Sequence, residues 1–124
     1  MTPLIFLGLM LAGAIGAPAR YVLEVFVQSR SRGVFPWGTF IINVSGSLFL
    51  GVITGAALYH GFPKTSKLLL GTGFCGAYTT FSTFSFETVR LIEDDAYAEA
   101  LFNVGSTVLV CAAGAALGLA LAAL

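Results

Sequence analysis

Charged side chains fall at the edges of long neutral stretches. Met1–Ala19, Gly33–Tyr59, Leu68–Phe86 and Ala100–Leu124 each contain no Asp, Glu, Lys or Arg. A bilayer's hydrocarbon core needs about 20 apolar residues of helix to cross it, and each run approaches or exceeds that length. The pattern predicts four transmembrane helices, at about residues 3–27, 36–59, 68–91 and 96–122, in a single membrane domain over 1–124. Between them lie QSRSRGVFPWG and HGFPKTSK, which read as short polar loops. Pro36 suits a helix start and Trp37 an interface. The acidic stretch EDDAYAE reads as a solvated cap on the last helix, complementing its dipole.

Polar residues inside these runs are the informative ones, because an unsatisfied polar group in hydrocarbon costs several kcal/mol. In the second run Thr39, Asn43 and Ser47 recur at i, i+4, i+8 and share one face. Asn43 stands out, since its own helix cannot satisfy two amide donors and an acceptor. Asn103, Ser106 and Thr107 form a second stripe in the fourth run. The third run reads GTGFCGAYTTFSTFSFE over residues 71–87. Gly71, Gly73 and Gly76 each cost about 1 kcal/mol of helix propensity, so a break is expected near Gly76–Thr79. Backbone freed at membrane depth is tolerated only where it is buried in protein or lines a cavity. Beyond the break, Thr80, Phe81, Phe84 and Thr88 share a face about 100° wide. Phenylalanine ring edges are electropositive, and with hydroxyl and amide donors they suit a small anion without a fixed cation to trap it.

Composition narrows the classes. Residues are 57% hydrophobic and 10% charged, against roughly 25% charged in soluble domains. No Lys or Arg precedes Arg20, so the first run reads as a retained helix rather than a signal peptide. Cys75 and Cys111 lie in apolar runs and read as free hydrophobes. Net charge is zero without a basic cluster, which argues against nucleic acid. No nucleophile–base set or paired carboxylates lie inside the runs, which argues against an enzyme. Four crossings put both termini on one side with Lys64 and Lys67, and Arg20, Arg30, Arg32 and Arg90 on the other. So small a bias leaves insertion in both orientations open. Close-packing pairs recur (Gly51 and Gly55, Gly114 and Gly118, and Ala12 to Ala17), which predicts a tight bundle. Four short helices enclose a pore poorly alone, so a homo-oligomer is expected.

Three stretches, GAIGAPARY (13–21), PWGTFIINVSGSLFLG (36–51) and above all GFCGAYTTFSTFSFE (73–87), resemble the CrcB/Fluc fluoride channels of microbes, essentially along the whole chain. The resemblance implies an all-α integral membrane protein with four helices, the third broken near its middle, forming an inverted, dual-topology homodimer. It implies passive, fluoride-selective export of toxic fluoride across the cytoplasmic (inner) membrane. By position, Phe81 and Phe84 match the pore phenylalanines and Asn43 the pore asparagine. Ser82 and Thr83 match hydroxyl positions, and Thr39 lies one turn from Asn43. Gly76 and Thr79 match the carbonyls that hold a structural Na⁺ at the dimer axis, and Arg20 the vestibule arginine. The chain departs from the family at Ala77, where a second glycine is common. It departs also at Phe102, where a tyrosine is common, and Ser106 then becomes the helix-4 candidate. The alternative is a small multidrug-type, proton-coupled exporter. That chemistry needs a carboxylate in mid-membrane, whereas Glu24 and Glu87 lie towards helix ends. A non-transporting membrane subunit would leave Asn43, Phe81 and Phe84 without purpose.

Overall fold

A computed structural model describes residues 1–124, and every regular element is helical: α1 (Pro3–Ser29), α2 (Trp37–Tyr59), α3 (Lys64–Lys67), a π-helical segment (Leu68–Cys75), α4 (Gly76–Tyr78), α5 (Phe81–Glu93) and α6 (Tyr97–Ala122). Three of these, α1, α2 and α6, are long and apolar enough to cross a membrane. Thr2 starts α1 by accepting the Ile5 N–H at 3.2 Å, with Pro3 at the first helical position. Pro36 ends up as the residue before α2 rather than within it.

The third run differs from the sequence expectation in two ways. Helix begins at Lys64, four residues early, because Pro63 (φ −57°) stops the loop and presets the chain for a helix start. The glycines do not break the helix. They lie in a continuous helical stretch widened to i→i+5 hydrogen bonding, where the Gly76 N–H reaches Gly71 O. Gly73 makes room for α1, while Gly71 faces Leu50 of α2. A Cβ on Gly73 would stand 2.8 Å from the Ala12 Cβ, and one on Gly16 would stand 2.5 Å from Phe74 O. The break comes at the far edge of the expected Gly76–Thr79 stretch, at Thr79 (φ −81°, ψ 161°) and Thr80 (φ −147°, ψ 122°), both extended.

The closest packing joins α2 to α6. A Cβ on Gly51 would collide with Ala115 O, and one on Gly118 with Leu48 O, so the two backbones nearly touch. The chain's buried apolar core is correspondingly small, with Ile42, Ile53 and Leu91 inside it, while Leu4, Leu101 and Leu109 are at least 70% exposed. Such an outside suits hydrocarbon, not water. Phe35, Trp37, Phe40 and Phe102 cluster at the start of α2 and α6, with ring centroids 4.5–5.9 Å apart. The acidic stretch does set Glu99 in the first turn of α6, where it complements the dipole, but Ala96 precedes the helix and no side chain caps it by a hydrogen bond. Asp95 instead takes a left-handed turn (φ 60°), a conformation Asp tolerates.

Candidate functional site in the helix break

Where a helix stops inside the chain, its terminal donors and acceptors need new partners. The Thr80 N–H, which would have continued the helix to Gly76 O, goes to Asn43 Oδ1 at 2.8 Å. The Asn43 Nδ2 donates back to Thr80 O at 3.0 Å. This two-bond clip resolves the difficulty Asn43 poses in the sequence: a neighbouring helix's opened backbone satisfies the amide. One Nδ2 hydrogen remains uncommitted by these bonds.

Thr80 also starts α5, its Oγ1 accepting the Thr83 N–H at 3.1 Å and donating to Thr83 Oγ1 at 3.1 Å. On the other side of the break, the Thr79 N–H and its hydroxyl both donate to Cys75 O at 2.9 Å. No main-chain N–H donates to Thr79 O. Tyr78 stacks on Phe74 (5.5 Å between centroids) and its hydroxyl lies 2.9 Å from Ser45 Oγ, holding the end of the first arm against α2.

The break opens onto a cavity of about 400 Å³ whose wall includes Asn43, Gly76, Thr79, Thr80, Phe81, Phe84 and Thr107. The Phe81 and Phe84 rings stand 5.9 Å apart and tilted 46°. Phe81 is 79% exposed in the single chain. Behind the wall runs a second polar layer. Thr88 Oγ1 donates to Phe84 O (2.8 Å), Asn103 Nδ2 to Thr88 Oγ1 (2.9 Å), and Thr107 Oγ1 to Asn103 Oδ1 (3.4 Å). The Asn103–Thr88 bond ties α6 to α5, and the other two extend it along each helix.

Other residues singled out from sequence sit elsewhere. Ser82 is exposed and, with Thr83, stays at the start of α5 off the cavity wall. Thr39 is 2% exposed and gives its hydroxyl to Glu87 Oε1. Ser106 is also off the wall, and its Oγ is buried with no hydrogen-bond partner. Arg20, half-buried on α1, does not reach this cavity. Phe102 packs on Phe35 and takes no part either.

Sequence reasoning weighed Glu87 only as a helix-end carboxylate, and did not foresee its bond to Thr39, the clip at Thr80 or the Asn103–Thr88 bond. A usable signal for the last was present, since Asn103 and Thr107 are four residues apart on α6. For Glu87 there was none short of knowing that α5 passes Thr39.

Residues 7–119 match the family described as CrcB-like protein, Camphor Resistance (CrcB). The chain is similar to "Fluoride-specific ion channel FluC 1" of Leifsonia xyli subsp. xyli, 47% identical over 119 residues that cover 96% of this chain and 87% of the relative. It is also similar to "Fluoride-specific ion channel FluC 1" of Frankia casuarinae, at 50% over 120 residues covering 92% and 93%. "Fluoride-specific ion channel FluC 2" of Mycobacterium tuberculosis is 44% identical over 118 residues, covering 95% and 90%.

Proposed function

Because the chain belongs to the CrcB-like family, we propose that its cavity is part of a path for passive, selective fluoride export. It is a multi-pass membrane protein and a fluoride channel, not an enzyme. The observation that carries the site is the pairing of Phe81 and Phe84 with the Asn43–Thr80 clip around one cavity. A dehydrated fluoride there accepts the spare Asn43 Nδ2–H and meets ring edges on its other side. Neither partner carries a full charge, so the ion is held yet free to leave. Ser106, buried and unpartnered off the cavity wall, is the α6 hydroxyl free to donate if it turns towards the path. The Thr39 hydroxyl joins only when it leaves Glu87, and Arg20 adds positive potential on its side of the membrane. Ser82 and Thr83 offer hydroxyls at the exposed start of α5.

The fourth crossing in this reading is the broken one. Residues 64–78 and α5 together have about 28 helical residues, or about 42 Å of rise, enough to span a core of about 30 Å. The functional unit is an antiparallel homodimer in the cytoplasmic membrane. The family implies a structural Na⁺, and the break fits one. Thr79 O lacks a backbone donor, Gly76 has lost its i+4 donor, and a Cβ at Gly76 would meet nothing nearer than Gly71 O at 4.0 Å. Unwound carbonyls of this kind hold Na⁺ in other broken-helix proteins. One chain's pair is too few ligands for a cation in hydrocarbon, and a second copy's pair across a two-fold axis completes the set. Bound there, the ion supplies positive charge that offsets opposed carbonyl dipoles.

Flux from liposomes containing the purified protein tests the reading. Fast fluoride efflux with negligible chloride efflux is expected. Equal rates would sink selectivity, and proton-coupled uptake of a cationic drug would favour the multidrug-type exporter.

A further inference from the structure

Charge is distributed unevenly between the two ends of the bundle. All six carboxylates (Glu24, Glu87, Glu93, Asp94, Asp95 and Glu99) and the four arginines lie in the end where α1 finishes and α6 starts, or in its loops. The opposite end has only Lys64 and Lys67 among its Asp, Glu, Lys and Arg side chains. The α2 helix separating the ends has 23 residues, about 34 Å of rise, so no Asp or Glu side chain of the same chain can reach the lysines. The two lysines are spaced i, i+3 on α3 and are therefore neighbours on its surface. They stand level with the end of α2 at Tyr59, where a spanning helix meets lipid headgroups.

Beside them is a groove of about 380 Å³ between α2 and the third passage. Its wall is Leu50, Lys64, Lys67, Leu68, Gly71 and Thr72, which sets two cations beside an apolar strip. We propose that this groove binds an anionic phospholipid, with the phosphate between Lys64 and Lys67 and an acyl chain along Leu50, Leu68 and Gly71. Charge complementarity selects the occupant. A soluble anion has no use for the apolar wall, and a neutral lipid brings no net charge to the two lysines. Leu50 and Gly71 also line the cavity at the helix break. A chain seated in the groove therefore borders that cavity and can alter it.

The test uses the full-length protein in detergent, stripped of lipid, with phosphatidylglycerol or phosphatidylcholine added and counted by native mass spectrometry. Phosphatidylglycerol is expected to be retained at least tenfold better. In Lys64→Gln/Lys67→Gln that preference is expected to fall at least tenfold. Arg30→Gln/Arg32→Gln, at the other end, is expected to keep it. Should the double variant fail to fold, Lys64→Gln alone, at an exposed position, must still lose at least threefold. Equal retention of both lipids overturns the proposal, as does unchanged preference in the lysine variants. So does displacement of the lipid by millimolar inorganic phosphate, which would mark a site for free anions. Loss of self-association with lipid retention unaltered would assign the groove to a second copy instead. None of these readouts depends on fluoride conduction.

Discussion

Asn43 shows how one side chain can hold a membrane helix open. Its amide replaces two main-chain bonds that a continuous helix would have made, at 2.8 and 3.0 Å. Asn43→Leu keeps the bulk but leaves Thr80 N–H and C=O without partners, at about 1–3 kcal/mol each. Expected outcomes are a lowered melting temperature in detergent and fluoride flux reduced at least tenfold. A variant with full flux and unchanged melting would show that the clip is dispensable. The phenylalanines make a different contribution. Ile fills similar space at Phe81 or Phe84 without an electropositive edge, and a ring-edge contact is worth about 0.5–1.5 kcal/mol. Each single Phe→Ile change is therefore expected to slow fluoride several-fold to tenfold while the protein still assembles. Stopped-flow or electrode measurement of efflux decides it, and normal rates in both variants would remove the ring edges from the mechanism.

Between elements, glycine has two opposite uses. In α2 and α6 it allows main chains to touch, as at Gly118, where an added Cβ would strike Leu48 O and stand 2.8 Å from Val52 N. At Gly105, in the same helix, an added Cβ meets nothing within 4 Å. Gly118→Ala should thus push α6 off α2 and lower thermal stability by several degrees. Gly105→Ala should raise it slightly, because alanine gains about 1 kcal/mol of helix propensity. Opposite signs in a melting experiment are the expected result, and equal effects would mean the α2–α6 contact is not close. Of the glycines in the third run, Gly73 belongs to the first use. Gly71, Gly73 and Gly76 are legible in the sequence as helix weakeners, but in the structure they accompany a π-helical widening, and Gly73 makes room for α1. Propensity registered the cost of these residues without indicating what it obtained.

At the scale of the whole molecule, an exposed Phe81 and the orphaned Thr79 carbonyl both suggest that the single chain is incomplete. If a Na⁺ joins two copies at Gly76 and Thr79, replacing Na⁺ by a large organic cation should weaken self-association and reduce fluoride flux together. Both should return on restoring Na⁺. Size-exclusion chromatography with parallel flux measurement checks this, and a dimer indifferent to Na⁺ would remove the ion from the assembly.

Hydropathy is local and additive, which is why the neutral runs alone determined an all-helical membrane chain and the approximate limits of α1, α2 and α6. Short motifs with several fixed residues, such as TTFSTF, were enough to identify the family. Hydrogen-bond partnership is neither local nor additive. Asn43 and Thr80 are 37 positions apart, and Thr39 and Glu87 are 48 apart. Nothing in either segment names the other. Only packing, by bringing α5 past α2, decided that the break expected near Gly76–Thr79 opens at Thr79 and Thr80. The same packing committed the Thr39 hydroxyl to Glu87 and left Ser106 without a partner.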